Sequence, residues 1–437
     1  MPKPAQFNVN ALVEPDRVHR SCYTDEDIFR RELEHIFHKT WIYMGHESQI
    51  EQPGDYVMAQ IGLQPMLLVR GADGEIHVLY NVCPHRGTML CNRHTGNTGK
   101  TFMCSYHGWQ FHLDGKIHGI PSEKGYDNTR FYEHESAKGM QPAARVANYR
   151  GFVFASLAAE GPDLLTFLGD AKQAFDDMCD RAPEGEVEIV PNCFRIIQKS
   201  NWKIFLENQL DALHPSVTHA STGHAAAEVE QEMKAETGED PPMSYHFLSA
   251  FTTPLSKWEQ FETVGHPNGH CSLQGYMGLR PKDPDTLEYE AVMREHYGAE
   301  RAEEILSVNL HHVLVYPCLS VQPALQQLRA VRPLSADRTL TEIWHFRLKG
   351  APEPIYRRAL DYYYLVNSPS TMVNADDLHN FWRCHQGLST ASGEWVSFHR
   401  NAGQDPETDG TMKSVTGLSE MPMRNMYRAW SKLMAEG

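Results

Sequence analysis

A formal charge of −16 on 437 residues, with a pI near 5.8 and no clustered basic stretch, argues against a nucleic-acid or anionic-membrane partner, because phosphate requires a concentrated cationic patch. The 41% hydrophobic and 10% aromatic content is that of a globular chain long enough for more than one domain. Nine scattered cysteines do not suggest a disulfide framework, and "MPKPAQFNVNALVEPDRVHR" lacks the apolar core of a leader, as the chain lacks any membrane-length apolar run, so a cytoplasmic protein is expected.

In chain order, the first element is "TDEDIFRRELEHIFHKTW", where Thr24 is the candidate N-cap, acids fill the first turn, and Ile28, Leu33, Ile36 and Phe37 recur at helical spacing. From about residue 55 to 120 the pattern becomes short strands and turns: "DYVMAQI", "PMLLVR", the turn "ADGE", "IHVLYNV", "TFMCSY", "WQFHL" and the turn "DGK". These predict a compact all-β unit whose last strand is "GFVFASL" and which ends near Gly161 and Pro162. Helical stretches such as "DLLTFLGDAKQAFDDMCDRA" then mix with the longer strands "QQLRAVRPL" and "TLTEIWHFRL", which suggest an antiparallel sheet. The polar stretch 224–242 reads as a solvated helix with a mobile tail and carries no assigned chemistry.

Within the β-unit, Cys83 and His85 form C-x-H, and 18 residues later Cys104 and His107 form C-x-x-H. Each pair sits at a strand-to-turn junction where both side chains can face one centre, and Gly87 and Gly108 let the loop backbones approach it. A structural zinc site satisfies this ligand count. Zinc-finger histidines, however, usually come as a pair on a helix, whereas here each follows its own cysteine. That alternation suits a [2Fe-2S] cluster with two thiolates on one iron and two imidazoles on the other, the Rieske arrangement. Cys91, His94, His112 and His118 fall outside the pattern and read as packing or surface residues.

The second candidate site is "NWKIFLENQLDALHPSVTH", residues 201–219. Two histidines five apart mean little by themselves, since 24 histidines in 437 residues give about one such spacing by chance. Glu207, Asn208, Asp211 and His214, however, are spaced by three or four and would share one helix face. Pro215 is expected to end or kink that helix and so return His219 toward the same point. Two imidazoles plus one carboxylate make the facial triad of mononuclear non-haem Fe(II), which leaves positions open for O2. The alternative is a buried polar helix face with no metal.

The strings "CPHRG" and "CSYHGW" resemble the Rieske signature of the ring-hydroxylating oxygenases, with a gap about one residue longer than that family's, a small loop insertion. Residues 207–219 are similar to the same family's E-N-x-x-D-x-x-H-x-x-x-x-H motif, with every motif position present. The resemblance extends over essentially the whole chain, which is thus identified as similar to the large, or alpha, subunit of a Rieske non-haem iron oxygenase. It implies that His214 and His219 are iron ligands, and that Asp211 bridges an iron-bound histidine to a neighbouring subunit's cluster. The third ligand is expected within "NADDLHNFWRCHQGL", where Asp377 is preferred to Asp376 because its distance to Gln386 fits the family pattern. Two acids complementing a helix dipole are the alternative reading of that pair.

The implied fold is α+β: an N-terminal helical segment (1–40) packing on the catalytic domain, an all-β Rieske domain (41–160), and a catalytic domain (161–437) with a curved antiparallel sheet wrapped around helices in helix-grip fashion. Implied assembly is a ring-shaped trimer of alpha subunits, commonly with a small beta subunit (alpha3beta3). Electrons are expected from NADH through a separate reductase, with or without a ferredoxin, because this chain has no convincing Gly-rich dinucleotide fingerprint. Residues 376–388 look closest to enzymes acting on benzoate, anthranilate and salicylate, so a small aromatic carboxylate is the expected substrate and cis-dihydroxylation the expected reaction. A monooxygenase or demethylase with the same metals is the second reading, and an electron carrier with an empty second site the third. Asn208, Leu213 and Val217 are the pocket candidates, while Arg329 and Arg332 are candidate carboxylate anchors that read more readily as structural residues of a strand.

Overall fold

In the computed structural model, which describes residues 8–275, 280–308 and 310–435, the chain forms two compact units. One comprises Phe37–Leu164; the other joins Met1–Ile36 to Leu165–Gly437.

The smaller unit is built from short antiparallel strands. Ile76–Tyr80, Gln64–Arg70, Asp55–Ile61 and Thr95–Asn97 form one sheet, Ile117–Gly119, Gln110–His112 and Thr101–Met103 a second, and Arg145–Tyr149, Phe152–Ser156 and Ile42–His46 a third. A two-residue turn at Gly62 and Leu63 closes the first hairpin, and Gly62 adopts φ +57°, which a residue without a Cβ reaches at no steric cost. Leu67, Val69, Leu79, Phe102, Trp109 and Phe111 fill the core, and Cys83 and Cys104 are buried among them. The two cysteine-bearing loops are thereby mounted on a rigid apolar base.

In the larger unit the described residues form a nine-stranded antiparallel sheet. Its central strands Gln327–Ser335, Leu319–Gln322 and Leu310–Val315 are apolar and mostly buried, and the helix Trp202–Gln209 packs on two of them. Met372–Leu388 lies against the edge strand Val187–Gln198, and Met421–Ala435 against Glu262–Gly265. The α+β reading therefore describes the molecule. The stretch 224–242 belongs mainly to the helix Ala220–Thr237, closed by Gly238 in a left-handed conformation, and its first turns bury Thr222, Gly223 and Ala226. Among the described residues no helix is long and apolar enough to cross a membrane.

The N-terminal helix differs from expectation at its start. Ser21–Thr24 is a separate helical turn, and the cap of Glu26–Glu32 is Asp25, whose carboxylate accepts from the backbone N–H of Asp27 (2.8 Å) and Ile28 (3.1 Å). Asp25 is extended where Thr24 is helical, and only an extended residue can aim its side chain at the free N–H groups of the next turn. The helix delivers Glu32, fully buried, to the indole N–H groups of Trp202 and Trp430 and the ammonium of Lys203. Three donors on one carboxylate join the first helix, the site helix and the last helix, and they provide the partners a buried charge requires.

Candidate metal centres and active site

The two loops of the smaller unit repeat one construction. The N–H of Gly87 donates to the carbonyl of Cys83 and that of Gly108 to Cys104, both at 3.0 Å, while the Cys83 and Cys104 N–H groups donate to Thr88 and Trp109 at 2.8 Å. Gly87 and Gly108 take φ +74° and +72°, a left-handed turn that lets each loop fold back over its cysteine. The imidazoles of His85 and His107 lie with centroids 4.6 Å apart, and Trp109 stacks on His85 at 4.9 Å with the planes 4° from parallel. Burial pushes the Cys83 thiol up to about 11; burial also opposes ionisation of Cys104, but the N–H groups of Tyr106 and His107 hold that thiol below its ordinary value.

The Nδ1 atoms of His85 and His107 are buried without a hydrogen-bond partner. Two orphaned imidazole nitrogens beside two buried thiols are a donor set that a [2Fe-2S] cluster satisfies and that polar packing alone leaves unpaired. Cys91 stands apart, its backbone tied to the amide of Asn81, and His112 pairs with His118 on the surface, where His94 is also exposed.

In the larger unit, Asn201 caps the helix Trp202–Gln209 by accepting from the Lys203 N–H at 3.1 Å. The helix stops at Gln209, so Asp211 and His214 do not continue the face of Glu207 and Asn208. Nor does Pro215 end it: Pro215 begins the next helix, Pro215–Thr218, at the position where a missing N–H costs nothing. The chain turns between the two helices, and this turn, not a shared face, brings His214 and His219 together.

Ligand atoms of His214, His219 and Asp377 all lie within 4.8 Å of one another. The Oδ1 of Asp377, from the helix Met372–Leu388, is 3.8 Å from His214 Nε2 and 3.3 Å from His219 Nε2. A carboxylate faces the other nitrogen of each ring: Asp211 Oδ2 is 3.5 Å from His214 Nδ1, and Asp376 Oδ2 is 3.6 Å from His219 Nδ1. Asp211 is itself held by the Leu213 N–H at 2.9 Å and flanked by Arg400 at 3.7 Å. Burial opposes its ionisation, yet the adjacent His214 imidazole keeps its carboxyl below the ordinary value. The Asn208 amide donates to Asp377 Oδ1 at 3.3 Å and stands 3.0 Å from His214 Nε2. Two imidazoles, one carboxylate and oriented outer carboxylates are a donor set that fits a mononuclear ferrous ion.

These groups open on a cavity of about 440 Å³ with Phe205, Phe247, Phe251 and Phe381 among its apolar walls. Asn208 lines it; Leu213 and Val217 do not, and Val217 is 66% exposed. Proximity in sequence to His214 does not fix direction on a tight turn. Arg332 is bound to Glu342 at 3.1 Å, as is Arg195 from the neighbouring strand, which makes it structural, whereas Arg329 lines the cavity. His311 and His312 also line it and no motif pointed to them; burial lowers His311 to about 3, so it is neutral.

Glu207 lies outside the metal cluster. Its carboxylate accepts from the hydroxyls of Tyr23 (2.8 Å) and Tyr427 (3.1 Å), and burial pushes it up to about 7 from an ordinary 4.5. The folded chain therefore holds a proton there that the unfolded chain has lost, so this group's contribution to stability declines as pH rises from 4.5 through 7. Glu207→Gln keeps an acceptor and removes the ionisation. Relative to wild type it is expected to gain on the order of 2 kcal/mol between pH 5 and pH 8. Thermal midpoints at one scan rate check this; equal pH slopes in both proteins would contradict it.

Comparison with known proteins agrees with this architecture. Residues 40–140 match the Rieske [2Fe-2S] domain family, and 175–436 match the ring-hydroxylating alpha subunit catalytic domain. The chain is 30% identical to the toluate 1,2-dioxygenase subunit alpha of Pseudomonas putida, over 98% of this chain and 94% of that one. It is also 30% identical to the anthranilate 1,2-dioxygenase large subunit of Acinetobacter baylyi, over 96% and 90% of the two chains. Among solved structures, naphthalene 1,2-dioxygenase with indole in its active site superposes with a TM-score of 0.80 at 25% identity, covering 98% of this chain and 95% of that one. The chain belongs to the Rieske ring-hydroxylating dioxygenase alpha subunits, which are oxidoreductases. Its two domains imply a Rieske cluster and a mononuclear iron as cofactors.

Proposed function

We propose that the protein is the terminal oxygenase component of an NADH-dependent system that cis-dihydroxylates a small aromatic carboxylate, with His214, His219 and Asp377 holding the mononuclear iron and Cys83, His85, Cys104 and His107 the Rieske cluster. The observation that carries the reading is the convergence of the two histidines and the aspartate on one aromatic-walled cavity. The reaction balances as ring plus O2 plus NADH plus H⁺ giving cis-diol plus NAD⁺. The bound metals supply an open position for O2 and electrons delivered singly.

The chain's own residues orient and enclose. Asp211 and Asp376 face the Nδ1 atoms of His214 and His219 at 3.5 and 3.6 Å, while the Nε2 of each ring is turned toward Asp377. Phe205, Phe247, Phe251 and Phe381 provide the apolar surface against which a ring is oriented and from which water is excluded. Asp211 further serves as the carboxylate between this site and a neighbouring subunit's cluster, which requires the trimer, with or without a beta subunit. Support for an aromatic acid comes from the toluate, 2-halobenzoate and anthranilate enzymes among the relatives. The reductase, with or without a ferredoxin, is a separate protein, and the system works in the cytoplasm.

The fold is shared with a quaternary ammonium Rieske monooxygenase (TM-score 0.68, 18% identity), so product chemistry is the test. With isotopically labelled dioxygen and benzoate or a substituted benzoate, both labelled atoms should enter one cis-diol. A single labelled oxygen in a phenol would replace dihydroxylation by monooxygenation.

A further inference from the structure

We propose that Arg329 anchors the carboxylate of the substrate, an inference that rests on the aromatic-acid reading above. Arg329 projects from the strand Gln327–Ser335, is only 6% exposed, and lines the same cavity as His214, His219 and Asp377. Its Nη2 donates to Gln322 Oε1 at 3.1 Å, and its buried Nε has no hydrogen-bond partner. Among the described residues no carboxylate lies within ion-pair distance of it. Three other buried or part-buried arginines of this unit's sheet and helices are paired with a carboxylate: Arg181 with Asp177 at 3.0 Å, Arg332 with Glu342 at 3.1 Å and Arg358 with Asp283 at 2.9 Å.

An unpaired guanidinium in an apolar cavity carries a large desolvation cost, which an anion at that place offsets. Burial lowers Arg329 to about 10, so it remains a cation at neutral pH. His311 and His312 beside it are held neutral by burial and supply no competing charge. Gln322, the polar partner of the guanidinium among the described residues, is itself engaged by His312 and cannot neutralise it. Phe205 lies under the guanidinium at 5.6 Å, which leaves the edge of the fork for a planar acceptor. Asp211 and Asp377, the cavity's own carboxylates, face the two histidines. The cavity thus combines apolar walls, the His214, His219 and Asp377 cluster and, among the described residues, one arginine that the Asp377 carboxylate influences through space without pairing with it. A ligand with one apolar ring and one negative charge completes it.

The test compares binding of benzoate with that of its uncharged methyl ester, by calorimetry on the iron-loaded oxygenase without electron donors. Wild type should prefer the acid, and Arg329→Gln should lower the acid-over-ester preference on the order of 100-fold. Arg329→Lys, which keeps the charge without the planar fork, should retain an intermediate preference and serves if the glutamine variant does not fold. An unchanged preference in Arg329→Gln with iron content and cluster spectrum intact would overturn the anchor, as would a lysine variant with no preference. A wild-type protein that binds the ester but not the acid would instead overturn the aromatic-acid reading itself.

Discussion

His214→Ala is expected to yield a protein that keeps its Rieske optical and EPR signals, holds about two irons per chain where wild type holds about three, and forms no product. The expectation follows from the separation of the donor sets. Cys83, His85, Cys104 and His107 belong to one compact unit, and His214, His219 and Asp377 to the other. Removing one imidazole leaves His219 and Asp377, too few ligands for a ferrous ion, and removes none of the four donors of the cysteine loops. The side chain is only part-buried, so the substitution leaves a small void and the unit should fold. Iron per chain and the reduced EPR spectrum are the measurements. Loss of the Rieske signal with retention of turnover would mean that the two sites had been assigned the wrong way round.

Asp211→Asn addresses orientation instead of ligation. The asparagine retains the size of the side chain and an oxygen for the Leu213 N–H, but removes the negative charge 3.5 Å from His214 Nδ1. Replacing an outer carboxylate of this kind lowers metal affinity or activity by about 10- to 100-fold. If Asp211 also couples this site to a neighbouring subunit's cluster, both metals remain and turnover falls at least that far. Iron content and coupled turnover measured on one preparation decide the matter. Full iron with near-wild-type turnover would remove Asp211 from the coupling role, and loss of iron would make it a support of His214 alone.

The cysteine loops were legible in the sequence because everything that shapes them is local. Each pair of donors lies within four residues, and the glycines that let each loop turn back are adjacent to them. The strands beneath announced themselves by alternation and by turn residues. Around His214 the sequence said less. Spacing by three and four suggested a helix face, but the helix ends at Gln209, and proline at residue 215 starts a helix as readily as it stops one. Asp377 follows from family resemblance alone, since no local pattern links it to residues some 160 positions earlier. The location of Asp376 beside the second nitrogen of His219 depends on how one helix is turned, which spacing alone does not give. Arg329 and Arg332 look alike on one strand. Only the register, which sets Glu342 opposite Ala330 and so diagonal to Arg332, reveals that one is paired and the other is not. Leu213 on the turn and Val217 on the short helix after it illustrate the same limit, because neighbours of His214 in sequence point where the backbone sends them.

The most direct measurement is metal analysis of freshly purified protein together with its visible and EPR spectra before and after dithionite. About three irons per chain, a red-brown colour and a Rieske-type signal on reduction are predicted. A colourless protein containing zinc would contradict the account, reducing the cysteine loops to a structural clamp and leaving the cavity around His214, His219 and Asp377 without its electron source.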